Sequence, residues 1–324
     1  VDLLVVGAAE IATPIGASPR GGGDLGQIAV HSHRALACGG GRIVRLGLEA
    51  ELVAEYPLAR RLDAQGGVIV PGFVDAHTHP VFLGTREDEF ERRLRGETYI
   101  EIARSGGGIA SSVRGVRASA EDALLECLLT RLDRFLELGT TTLEVKTGYG
   151  LSLADELKCL RVIARAQALH PIEIVPTFLG AHDFPPEYKE RHADYVELLG
   201  DEMLPRVAQE DLARYCDVFT EAHVFSLADT RTILERARGL GFGLRLHVDQ
   251  LSPLGGAELA AELQAASADH LEHVSERGIE ALAAAGTIPV LCPLVPLYLR
   301  DPKEAPARQM VRAGCQYAIV ETTS

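Results

Sequence analysis

No Cys-x-x-Cys pair, no P-loop and no Gly-x-Ser-x-Gly elbow occurs in the 324 residues, and each gap removes a class of chemistry. The six cysteines, Cys38, Cys127, Cys159, Cys216, Cys292 and Cys315, are scattered, which argues against a disulfide framework and a zinc knuckle and points to a reducing cytoplasm. No run approaches the roughly 18 continuous apolar residues of a membrane span. The apolar opening "VDLLVVG" has no basic region ahead of it, so export is not expected, and the missing initiator Met suggests a trimmed or partial product. Positive charge is scarce too: 32 Lys and Arg stand against 46 Asp and Glu, a formal net charge of −14. Such a chain suits neither the phosphate backbone of nucleic acid nor an anionic membrane surface, which leaves small polar molecules as the expected partners.

What is present is a chain with enough apolar sequence, 47%, to bury a large core without staples. From about residue 66, short β-branched runs alternate with segments of helical period. The runs 67–77, 141–147, 172–180, 216–224, 243–250, 268–274, 287–293 and 317–322 predict eight strands. The stretches 119–139, 152–170 and 255–267 predict helices between them, the first with Ser119 as N-cap and Gly139 just past its end. Eight strands with intervening helices argue for a (β/α)8 barrel over residues 66–324, preceded by a small β-rich subdomain over 1–65. Residues 81–118 read as a long insertion over the barrel mouth, with "SGGGI" (105–109) as a flexible lid segment, because the spacing of a phosphate cradle is lacking.

Barrel enzymes place their chemistry at the C-terminal ends of strands. Polar groups gather there: His77 and His79, Lys146 and Tyr149, His182, His247 with Asp249 and Gln250, and Asp269 with His270 and His273. In an extended segment residues i and i+2 face the same way, so His77 and His79 can present both imidazoles to one cation. The same spacing recurs in "HSH" at 31–33, read as surface or loop histidines, so the pair alone does not decide between ligands and decoration. His247 at another strand end favours ligands, because three imidazoles suit zinc, iron(II) or a similar ion and leave positions open for water and substrate. His270 is the next candidate, as a proton shuttle; His223 and His273 are weaker candidates, and His170 and His192 read as surface residues. Arg86 either forks onto a substrate carboxylate or belongs to a solvated charge run with Glu87, Asp88 and Glu91, and the sequence alone does not choose.

The blocks "PGFVDAHTHPVFLGTREDEF", "EVKTGYGL", "PTFLGAHDFPPEY", "LHVDQLSPLGGAELAAELQAASADHLEHV" and "APARQMVRAG" together resemble the imidazolonepropionase family of the amidohydrolase superfamily, from about residue 66 to 318. The resemblance implies metal-dependent opening of 4-imidazolone-5-propanoate to N-formimino-L-glutamate, one zinc or iron ion, and a homodimer. It implies His77, His79 and His247 as metal ligands. Arg86, Tyr99, Tyr149, His182 and Gln250 would bind substrate, with Arg86 on the propionate, and Gln250 and His270 would act at the reacting ring.

One departure stands at "YAIVETTS": where the family has a Thr-Asp-x-Asn-Pro-Gly motif, spacing places Thr322 at the Asp and Ser324 at the Asn. A hydroxyl cannot replace a carboxylate as base, so an impaired enzyme, truncated after strand eight, is expected, unless Glu321 shifts register to substitute. The alternatives are an inactive or fragmentary relative, or a hydrolase or deaminase acting on another cyclic amide.

Overall fold

The computed structural model describes residues 1–98, 101–102 and 105–320. They form two compact units, Val1–Arg20 with Asp24–Gly72, and Gly21–Gly23 with Phe73 onward. In the first unit β1 (Leu3–Val6) pairs antiparallel with β4 (Arg34–Gly39) and parallel with β6 (Arg60–Asp63), while β5 (Arg42–Leu48) adds to β4. A second sheet joins β2 (Glu10–Pro14), β3 (Ile28–Ser32) and β7 (Val68–Ile69). The helix Glu49–Glu55 lays Leu52 on Leu4, Ala35 and Ala37, which closes this unit's small core. The "HSH" pair belongs here, His31 in β3 opposite Ile11 and His33 exposed just after the strand.

The second unit is the eight-stranded parallel sheet of a (β/α)8 barrel, its strands in chain order: β8 (Phe73–Asp75), β9 (Thr140–Lys146), β10 (Glu173–Ala181), β11 (Tyr215–Thr220), β12 (Gly243–Val248), β13 (Ser267–His270), β14 (Ile288–Leu291) and β15 (Ala318–Ile319). Among the described residues β8 and β15 are the two edges of this sheet and are not paired with each other. One face of the strands meets the helices and is apolar: Leu143 and Val145, Cys216 and Val218, Leu244, Leu246 and Val248 all enter the main core. The other face carries Glu144 and Lys146, Asp217 and Phe219, Arg245 and His247, and Ser267 and Asp269, all buried. A period of two separates the faces, so the barrel interior is charged where its outside is greasy. No helix among the described residues is long and apolar enough to cross a membrane.

Three local expectations need correction. The run 67–77 is not one strand: β7 pairs with β2 in the first unit, and after Pro71 and Gly72 β8 pairs with β9 in the second. Proline lacks the N–H that a continuous ladder would need, and the chain leaves one sheet for the other there. The segment 81–118 is not a loose insertion, because it holds the helices Glu87–Leu94 and Ile109–Ala118. The glycines at 106–108 are tied down instead of forming a flexible lid: buried Glu89 accepts the Gly108 N–H at 2.8 Å, and a Cβ on Gly107 would meet Ile102 at 2.8 Å and Glu89 at 3.1 Å. Finally, Ala120, not Ser119, occupies the N-cap of Glu121–Glu137, since the Ser119 hydroxyl donates back to the Gly115 carbonyl at 2.6 Å and is already used.

Candidate active site

The segment "VDAHTHP" leaves β8 and is fastened beside β9. The Thr78 carbonyl accepts from Lys146 N–H at 3.0 Å, the Thr78 hydroxyl donates to the Glu144 carbonyl at 2.5 Å, and Arg245 donates to the Ala76 carbonyl at 2.8 Å. With Thr78 pinned outward, His77 and His79 both turn inward, and His247 meets them from the end of β12. The Nε2 atoms of His77 and His79 are 3.2 Å apart, as are those of His79 and His247. Burial pushes the His77 and His79 imidazoles well below their ordinary basicity, so both are neutral near pH 7.

The other ring nitrogens show which way the lone pairs point. His77 Nδ1 lies 2.6 Å from Asp269 Oδ2, which favours its proton on Nδ1 and leaves Nε2 bare, while His247 Nδ1 stands 3.0 Å from Asp217 Oδ2 in an ion-pair contact whose angle is not that of a hydrogen bond. His79 Nδ1 has no hydrogen bond among the described residues. An Nε2–H on His79 can donate to only one of the two Nε2 atoms that lie 3.2 Å from it, so three imidazole nitrogens crowd one point. A cation removes that conflict. Ligand bonds of about 2.0–2.1 Å in a tetrahedron give nitrogen separations of roughly 3.3–3.4 Å, close to those found. These residues fit a divalent ion by donor type, spacing and protonation.

Beneath the histidines lies a second tier. Lys146 Nζ, fully buried, donates to Asp217 Oδ2 at 2.6 Å, to Glu144 at 3.0 Å and to Asp269 Oδ2 at 3.3 Å. Arg245 pairs with Glu144 at 2.9 Å and donates to Ser267, whose hydroxyl donates to Asp269. Burial opposes the charge on Lys146, but Asp217, Glu144 and Asp269 outweigh it and raise its pKa. Burial also opposes charge on Asp217, where His247 and Lys146 prevail and hold the carboxyl well below its usual range.

Above the histidines opens a cavity of about 680 Å³ in the second unit. His77, His79 and His247 line it together with His182, His270 and Gln250. Arg86, at the N-cap of Glu87–Leu94, and Tyr149 add to its polar wall, as do Arg93, Tyr298 and Arg300: the Arg86 guanidinium donates to Ser112 Oγ at 2.8 and 3.2 Å and to the Tyr149 hydroxyl at 3.2 Å. His182 stacks on His79 with ring centroids 5.1 Å apart and bonds the Gly148 carbonyl through Nδ1, while burial drives its pKa down to about 3. His270 sits at the end of β13 with a positive φ of 79°, its pKa also lowered to about 3 by burial.

The chain is 53% identical to the imidazolonepropionase of Symbiobacterium thermophilum over 323 residues, spanning 98% of this chain and 76% of that protein. The chain belongs to the imidazolonepropionase family. The protein of that name from Myxococcus xanthus is 47% identical over 321 residues, again covering 98% of this chain and 76% of its own length. No family model matches the chain. Among solved structures, 5-methylcytosine deaminase from Klebsiella pneumoniae superposes with a TM-score of 0.70 at 16% identity, covering 99% of this chain and 75% of that one. An adenosine deaminase from Xanthomonas campestris with bound zinc does so with a TM-score of 0.63 at 17% identity, covering 99% and 69%. At those identities the likeness is one of fold alone.

Eight residues singled out by the family motifs therefore line one cavity: His77, His79, Arg86, Tyr149, His182, His247, Gln250 and His270. Tyr99, Glu321, Thr322 and Ser324 lie outside the described residues. Two strand-end residues do other work: Lys146 is sealed below the histidines, and Asp249 turns its carboxylate to the backbone N–H groups of Leu254, Gly255, Gly256 and Ala257. The sequence reading missed Ser112, Phe219 and Tyr298 around the cavity, and Glu144, Asp217 and Arg245 below it. The inner row was signalled by ionisable residues at alternate positions in "EVK" and "RLH" and by the lone Asp217 in "DVF", within strands otherwise apolar.

Proposed function

We propose that this chain hydrolyses the ring amide of 4-imidazolone-5-propanoate to N-formimino-L-glutamate in histidine degradation, using one divalent ion, zinc or iron, held by His77, His79 and His247. The observation that carries this reading is the convergence of three buried Nε2 atoms at 3.2 Å spacings on the floor of a cavity walled by Arg86 and Tyr149, in a member of this family. The ion would supply Lewis acidity and lower the pKa of water toward neutrality.

The chain's own residues do the rest. Arg86, pre-aimed by Ser112 and Tyr149, takes the propionate carboxylate and sets the ring over the histidines. Tyr149, Tyr99, His182 and Gln250 orient the imidazolone. His270, neutral near pH 7, accepts a proton at its ring nitrogen as water attacks and returns it to the departing ring nitrogen. Phe219, buried beside His182 and His247, adds an apolar wall next to these contacts.

The small β-rich subdomain is read as running to Gly72, past the expected boundary at residue 65, with the metal-hydrolase barrel following from Phe73. The protein acts as a cytoplasmic homodimer on a small molecule, with neither nucleic acid nor membrane as partner; six free cysteines and the net charge of −14 support that setting. Thr322, at the position of the family aspartate, makes the native chain a slow enzyme, and Thr322→Asp should raise its turnover.

The test is consumption of imidazolonepropionate by protein loaded with zinc or iron(II). His247→Ala should abolish it, and Arg86→Ala should raise KM roughly 10–100-fold through loss of a charged hydrogen bond. If neither the native chain nor Thr322→Asp consumes imidazolonepropionate while either opens another cyclic amide, the substrate assignment is wrong.

A further inference from the structure

We propose that Lys146 is a positioning residue that aims His77 and His247 at the metal, acting through Asp269 and Asp217; this rests on the metal-hydrolase reading above. Its Nζ touches the same two carboxylate oxygens that touch the imidazoles. Asp217 Oδ2 lies 2.6 Å from Nζ and 3.0 Å from His247 Nδ1, and Asp269 Oδ2 lies 3.3 Å from Nζ and 2.6 Å from His77 Nδ1. One ammonium thus spans two carboxylate–imidazole pairs, and it can do so only from a fully buried position at the end of β9.

Two consequences follow from that placement. With Lys146 as a fixed point, Asp217 and Asp269 cannot swing: Asp269 accepts the Nδ1 proton of His77 and Asp217 stands against His247 Nδ1, so both Nε2 atoms stay turned to the cavity. Asp217, His247 and Asp269 also form a second group whose donor atoms are close enough to share a cation. Lys146 fills that group with an ammonium, which keeps a divalent ion from settling among the carboxylates instead of among the three imidazoles. Arg245 does not duplicate this. It pairs with Glu144 at 2.9 Å and reaches Asp269 only at 4.0 Å.

The competing role for Lys146 is simple neutralisation, because three buried carboxylates face two cations in this tier. Lys146→Met alone would leave two carboxylates in excess and destabilise the fold for that reason. The double variant Lys146→Met/Glu144→Gln restores the charge balance while removing the shared ammonium, so it separates the two roles. Chelator-treated parent and double variant are titrated with zinc against a chromophoric chelator, and thermal unfolding is followed in parallel.

The expected result is a Tm near the parent's with a zinc Kd raised 10–100-fold, the size of effect typical for partners that orient metal ligands. A zinc Kd within twofold of the parent's overturns the positioning role and leaves the metal reading intact. A parent that takes up no zinc overturns both. Independently of any variant, nitrogen-15 imidazole shifts of the metal-free parent should report His77 and His247 protonated at Nδ1, and protonation at Nε2 in either ring overturns the proposal.

Discussion

Asp249 and Asp269 both sit at the ends of barrel strands, the first two residues after His247 and the second one residue before His270. Their environments give them different tasks. Asp269 faces inward to His77 and Lys146, whereas Asp249, at a positive φ of 50°, accepts four backbone N–H groups and fixes the turn into the helix Gly256–Glu262. Asp249→Ala should therefore lower stability by about 1–3 kcal/mol through unsatisfied donors, seen as a reduced Tm, with zinc affinity unchanged. Glu272 carries the clearest pH signature: burial, aided by Asp301 and Glu221, pushes its carboxyl up to about 8. A raised carboxyl favours the folded state fully below the unfolded pKa near 4.5 and loses that advantage as pH climbs through about 8. Tm should fall between pH 5 and 9, and Glu272→Gln should flatten that slope; an equal slope in the variant would contradict the assignment. His77 and His79 were legible in the sequence because their shared step follows a strand and His247 stands at another strand end, but Asp217 was not, because "CDVFT" reads as a buried strand until its neighbour across the barrel is known.

At the level of elements, the strands were legible from β-branched runs and the helices from their period, and the errors fall where a single residue interrupts a pattern. Pro71 splits a run that hydropathy joins, and Ser119 is claimed by the helix before it instead of the helix after it. The rest of the polar inner face went unread for another reason: parallel strands covered by helices are normally apolar on both sides, so only the last polar residues of each strand were singled out. The turn "KTGYGL" shows what such junctions demand. Gly148 holds φ at +109°, and a Cβ there would sit 2.8 Å from His182 Nδ1 and from the Leu179 carbonyl oxygen. Gly148→Ala should cost about 1–3 kcal/mol in strain and displace His182, read as a lower Tm together with a raised KM for imidazolonepropionate. Loss of stability without a change in KM would place His182 outside the substrate's reach.

Across the whole molecule, a metal that binds only the folded barrel must stabilise it by mass action. Zinc at about 100 times its Kd should add about 2.7 kcal/mol, so chelation should lower Tm by several degrees and re-addition should restore it; an unchanged Tm would contradict the three-histidine site. The barrel was legible as a whole because eight runs and their helices leave few other topologies, whereas the ionic tier depends on residues as far apart in sequence as Lys146 and Asp269 and appears only when the strands are laid side by side. That tier also has a thermal consequence. The hydration of ions weakens as temperature rises, so the cost of keeping Glu144, Lys146, Asp217, Arg245 and Asp269 dry shrinks on heating while apolar burial levels off. The charged floor is thus the part of the barrel that warming penalises least, and heat should loosen the apolar shell of helices before it disturbs the floor on which the histidines stand.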